Sequence, residues 1–150
     1  MPSNTLLSQD VAVLAVIDPD ANAAGALTSD WVDMTVFQRI MGICLAGTLG
    51  TSATLDMKFQ QATDSSGTGN KDITGKAITQ LTQAGTDADK QAIINLRADE
   101  LDVAGNFTHA ALVLTTAVAT SDSGAIILGD SARYQPANDN DLASVDEIVA

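Results

Sequence analysis

The chain is short of the residues from which most reactive sites are built. Among 150 residues there is one cysteine and one histidine, with three Phe, one Tyr and one Trp as the whole aromatic content. A single cysteine, Cys44, excludes an intramolecular disulfide and a multi-thiolate metal site. It lies in the apolar run 39–46, which implies a small buried side chain rather than an activated thiol. A single histidine, His109, offers one base at most to nucleophilic catalysis, and its setting between Thr108 and Ala110 implies a structural place on a strand. No Gly-x-Ser-x-Gly elbow, phosphate-cradling glycine loop or His-Glu-x-x-His occurs. Positive charge is scarce too: 7 basic residues against 19 acidic ones give a net charge of −12. Such a chain repels nucleic-acid phosphate and anionic lipid, so neither nucleic acid nor membrane is expected as a partner. There is no run of about 20 apolar residues and no basic segment leading into an apolar one, so neither a spanning segment nor a signal peptide is expected.

The acids that are plentiful do not assemble into a motif. Asp99 with Glu100, or Asp33 with Asp56, could be proposed as glycosidase pairs, but that chemistry needs two acids facing one cleft with one pKa raised. Exposed turn acids are the simpler account. Asp18-Pro19-Asp20-Ala21-Asn22 is like the start of an EF-hand, yet the glycine comes at Gly25 and the closing Glu is missing. A calcium site of turn carboxylates including Asp139 and Asp141 is the remaining metal option. The expectation is a protein that is no enzyme and holds no cofactor or metal.

What is present is a core alphabet of Ala, Val, Ile, Leu and Met, within a 45% hydrophobic composition that suits one globular domain. In residues 91–98, Ala92, Ile94, Leu96 and Ala98 alternate with Gln91, Ile93, Asn95 and Arg97, the period of a strand with one buried face. Residues 107–118, rich in Thr, Val and Leu, suit the middle of a sheet, and the turn 99–106 is expected to join the two as a central hairpin. Leu55, Met57 and Phe59 alternate with Thr54, Asp56, Lys58 and Gln60. That strand is expected to pair as a hairpin with the apolar run 37–46 through the glycines of 47–51.

Residues 11–17 are continuously apolar, the pattern of a strand covered on both faces, and Asp18-Pro19-Asp20 is expected to end it. Residues 21–27 read as a small-residue loop. Trp31 is in phase with Asp33, and Val32 with Met34, so the tryptophan is expected to cap the edge of the core. Residues 73–83 read as a strand, and 125–128 as a short one stopped by Gly129-Asp130. Leu142, Val145 and Val149 carry helical spacing, with Asp141 or Ser144 as caps. About eight strands without alternating helices predict an all-β, antiparallel β-sandwich, jelly-roll-like, with extended termini. The expected division is an arm over 1–10, the sandwich over 11–130, and an extended segment over 131–150 that packs on the domain or on a neighbour.

Several stretches resemble small proteins encoded in the head-gene modules of tailed bacteriophages. They are Asn95-Leu96-Arg97-Ala98-Asp99-Glu100-Leu101-Asp102, Phe107-Thr108-His109, residues 127–134 (Ile-Leu-Gly-Asp-Ser-Ala-Arg-Tyr), residues 55–64 and residues 142–149. The resemblance implies a virion structural protein. Within that class it implies a capsid decoration, or cement, protein on the outside of the head, made in the bacterial host cytoplasm, trimeric and bound to the major capsid protein. The alternatives are another virion component at the neck or tail, or a surface glycan-binding module, for which the few aromatics offer little.

Chemistry alone nominates the contact residues. Exposed polar loops and termini present them: Pro2, Asn4 and Leu6 in the arm, Ser65, Thr68, Asn70 and Lys71 in the polar glycine-containing loop, and Arg133, Tyr134, Leu142 and Ile148 in the tail.

Overall fold

A computed structural model describes residues 4–150, and Pro2 of the nominated contacts lies outside them. The chain forms the strands β1 (Val11–Asn22), β2 (Gly25–Thr28), β3 (Val32–Asp33), β4 (Phe37–Ala46), β5 (Thr54–Ala62), β6 (Lys71–Ala77), β7 (Leu81–Thr82), β8 (Gln91–Arg97), β9 (His109–Ala117) and β10 (Ser121–Ala132). Sheet A runs β1-β10-β4-β8; sheet B runs β2-β9-β5-β6, with β3 also on β9 and β7 also on β5. Every pairing is antiparallel. The result is the β-sandwich, jelly-roll-like, that the strand pattern predicts.

Connectivity departs from the expectation. β8 pairs with β4 in sheet A, whereas β9 pairs with β5 in sheet B. The expected central hairpin is therefore an arch between layers. Leu101, 6% exposed, hangs from the arch into the open end of the core, and Gln61 Oε1 accepts from Asp102 N at 2.7 Å. β4 and β5 likewise belong to different sheets, and their linker crosses the sandwich with Leu49 and Ala53 buried beneath it. Alternation along a strand states which side is inward but not which sheet the strand joins. An arch and a hairpin carry the same local signals.

Four further regions differ from their sequence signals; the expected strand over 73–83 is divided into β6 and β7, both paired with β5. β1 continues through Asp18-Pro19-Asp20, because the register shift between Ile17 and Asp20 takes up the proline as a bulge on an edge strand. β2 occupies part of the expected loop, paired with β9. β10 spans twelve residues, where a short strand ending before Gly129-Asp130 was expected. Gly129 fits inside it because Leu14 and Phe37 fill the space that a side chain would need.

Phe59, Leu55, Met57, Leu112 and Leu114 of sheet B face Ile127, Cys44, Leu96 and Ile40 of sheet A. At Gly42 the layers meet closely, and an added Cβ would lie 2.8 Å from Leu112 Cδ2 and 3.1 Å from Phe59 Cζ. The termini are tied down along β1. Residues Leu7–Asp10 make one helical turn, α1, where an arm was expected. The tail forms a 3-10 turn over Ala137–Asn140 with Ala137 fully buried, then runs along the free edge of β1. Asp141 Oδ1 accepts from Val13 N at 2.6 Å, and Leu142 N donates to Val13 O at 3.0 Å. Residues 142–149 are not helical: after the edge bonds at Asp141 and Leu142 a single turn follows, in which Val145 N donates to Leu142 O at 2.9 Å.

Candidate functional site

Register places most of the nominated contacts at one end of the sandwich. Val11, Asp130, Arg39 and Arg97 form the terminal row of sheet A, while His109, Ala62 and Asp33 lie at the matching end of sheet B. The short link 34–36 and the arch 98–108 join those ends. The segment before β1, the loop 63–70 and the segment after β10 therefore emerge together. Asn4, Leu6, Ser65, Thr68, Asn70, Lys71, Arg133 and Tyr134 belong to this cluster, all exposed. Leu142 is half-buried against the β1 edge, and Ile148 lies further along the tail at 44% exposure.

The loop is organised rather than loose. Asp64 Oδ1 accepts from Ser66 N at 2.9 Å and Thr68 N at 3.1 Å, and these bonds, those to Thr68 foremost, hold its carboxyl below the usual range. Asn70 Nδ2 donates to Gly67 O at 3.0 Å. Gly67 has φ +79° and sits against Trp31, whose Nε1 would lie 2.7 Å from an added Cβ. Trp31 thus supports the loop and is half-buried by it, as a cap of the core edge rather than an open platform. Lys71 is committed within the chain: its Nζ donates to Asp102 Oδ2 at 2.6 Å and lies 4.2 Å from the centre of the Phe107 ring. Arg133 stacks over Tyr134 at 5.8 Å, leaving the phenol 73% exposed.

The residues with catalytic chemistry are dispersed. Glu100 accepts from Arg97 N at 2.8 Å and pairs with Lys76 at 2.9 Å, and both, the backbone bond first, lower its pKa, the opposite of a general acid. Asp99 pairs with Arg97 at 3.0 Å. Asp56 accepts from Gln80, and Asp33 closes a turn with Thr35. His109 Nδ1 lies 2.8 Å from Thr108 Oγ1. Cys44 is fully buried, and burial pushes its thiol up to about 11. Among the described residues no three of His, Cys, Asp or Glu cluster as a metal site, and Asp141 is engaged by β1. No helix among them is long and apolar enough to cross a membrane.

One surface was not picked out from sequence. The outer face of sheet B is polar, with Lys58 paired to Asp72 at 2.8 Å and Gln60 donating to the same carboxylate. The outer face of sheet A is apolar. Val16, Ile126, Ile43 and Ile93 stand opposite one another across all four strands, and Val13, Leu128 and Met41 form the next row. Ile93 is 56% and Leu45 48% exposed. The signal was present: β1, β4 and β10 are apolar at outward as well as inward positions, which reads as cover on both faces.

No family model matches the chain, and no curated protein matches it. Several solved structures are similar to it in outline. A structure of infectious bursal disease virus Gx strain overlaps 85% of this chain at a TM-score of 0.46 and 14% identity; this chain spans about a third (33%) of that one. The cowpea mosaic virus top component overlaps 83% of this chain and 87% of its own at 0.44 and 9% identity. A xylan-binding module, CBM15, overlaps 87% and 96% at 0.36 and 9% identity. Overlap at this level does not specify what this chain binds.

Proposed function

We propose that this chain is a virion structural protein that works by binding and catalyses nothing. In its specific form it is a capsid decoration protein, seated on the exterior of a tailed-phage head, where it bridges neighbouring copies of the major capsid protein. The observation that carries the reading is the gathering of the N-terminal segment, the loop 63–70 and Arg133–Tyr134 at one end of the sandwich, as the register places them. A rigid body that presents several short segments on one end fits a surface made of repeated subunits. Contacts that are weak singly then add through multivalency. The resemblance to head-module proteins supports the same class.

The side-chain chemistry is consistent with this role. Tyr134 and Leu6 offer apolar area at the cluster, and the ordered Asp64 turn holds Ser65 and Thr68 outward at little entropic cost. Co-sedimentation with expanded, decoration-free heads tests the proposal. Binding should saturate at a fixed ratio to capsid subunits, and Tyr134→Ala should weaken it about tenfold or more, as for a central aromatic contact. Absence of binding to heads, with the protein labelled at neck or tail of the virion, would reject the decoration role. The resemblance implies a homotrimer; the outer face of sheet A bears on that separately.

A further inference from the structure

We propose that the outer face of sheet A is the contact between two copies of this chain, packed face to face about a two-fold axis that crosses the strands at the Val16–Ile126–Ile43–Ile93 row. The inference goes beyond the head-binding role, since it uses another surface and holds whatever the assembled protein is attached to.

Three observations carry it. The first is a mismatch between pattern and cover. β4 has Met41, Ile43 and Leu45 outward, β10 has Ile126 and Leu128, and β1 has Val11, Val13 and Val16. Strands apolar on both sides belong to sheets covered on both sides. Among the described residues, cover reaches one corner only, where Leu7 of α1 overhangs a hollow bounded by Val11, Met41 and Leu128.

The second is charge. Two of the chain's 7 basic residues, Arg39 and Arg97, stand side by side in the row at one end of this face. Asp122 lies at the other end, joined by Asp20 around a second hollow. Arg39 is two rows from Ile43 in one direction, and Asp122, bonded to Gly47, is two rows from it in the other. An axis across the strands at the isoleucine row therefore brings the arginine end of each copy over the aspartate end of the other. No ion pair among the described residues engages Asp20 or Asp122. Arg39 pairs with Asp130 and Arg97 with Asp99, and each keeps guanidinium donors to spare. Arg39 on β4 then comes within one strand of Asp122 on β10 of the other copy, an opposite-charge contact in a chain of net charge −12.

The third is area. Four strands about 4.8 Å apart, over eight residues of about 3.4 Å rise, give roughly 500 Å² per copy. A pair buries about 1,000 Å², the lower limit for a specific interface. The self-complementary patch is what a two-fold contact requires.

Sedimentation equilibrium of the full chain between 1 and 100 µM, concentrations set on the usual scale of such contacts, tests the proposal. A dimer is expected. Ile93→Asp should raise its dissociation constant at least about tenfold with an unchanged far-UV spectrum, while Val103→Asp, on the arch away from this face, should leave it unchanged. Arg39→Glu and Asp122→Arg should each weaken the dimer, and the double variant should recover it. A wild-type monomer throughout that range, the homotrimer that the resemblance implies, or no recovery in the charge swap would overturn the proposal.

Discussion

At the residue scale, Cys44 and Glu100 shift in opposite senses, each for a local reason. Cys44 is the one thiol, fully buried, with its pKa raised to about 11 by burial. Because the folded form holds the proton more tightly, its contribution to stability is complete below the unfolded thiol value, near 8.5, and is lost as pH rises toward 11. A thiol reagent at pH 8 should therefore label Cys44 only at the rate of unfolding; labelling within seconds in native buffer would contradict the burial. Glu100 behaves in the opposite sense. Its carboxyl is held low by Arg97 N–H and by Lys76, so its contribution is present above the unfolded glutamate value, about 4.3, and fades as pH falls through the lower folded value. Lys76→Met should cost about 1 kcal/mol at pH 7, measured by urea unfolding, and the difference should shrink below about pH 4.

At the scale of elements, the tail is the part whose removal separates two roles. Residues 137–142 plug Ala137 into the core and satisfy both edge groups of Val13. Truncation before Ala137 should cost about 2–3 kcal/mol and leave β1 as an open, aggregation-prone edge. Truncation after Leu142 should leave the urea midpoint in place; a large drop there would mean that the last eight residues carry packing the structure does not show. The elements also show what the sequence makes legible. The inward set Leu55, Met57 and Phe59 is buried, and so are Ile94 and Leu96, because period-two alternation is a local property of one strand. β9 is central to its sheet, in line with its run of Thr, Val and Leu. The partners of β8 and β5 were not legible, since the links 98–108 and 47–53 carry turn residues that serve an arch as well as a hairpin. Gly129 and Pro19 read as stops, but a neighbouring Leu14 and a bulge absorb them. The contact segments were nominated from composition. Their gathering at one end depends on sheet register, which no single segment encodes.

At the scale of the whole molecule, the sandwich has three unlike surfaces: a polar outer face on sheet B, an apolar outer face on sheet A, and an end where loop and termini meet. Among the described residues no three of His, Cys, Asp or Glu group as a metal site. The proposed contact between copies and the proposed contact with a shell use different surfaces of the sandwich, so neither excludes the other. The proposed place of the molecule is the exterior of the head. The most direct measurement is a cryo-electron microscopy difference map between phage heads assembled with and without this protein. Added density is expected on the outer capsid surface at regular positions, contacting more than one major capsid subunit through the end bearing Tyr134 and the loop 63–70. Heads identical in the two maps, with the protein's density at the neck or tail or absent from the particle, would contradict it.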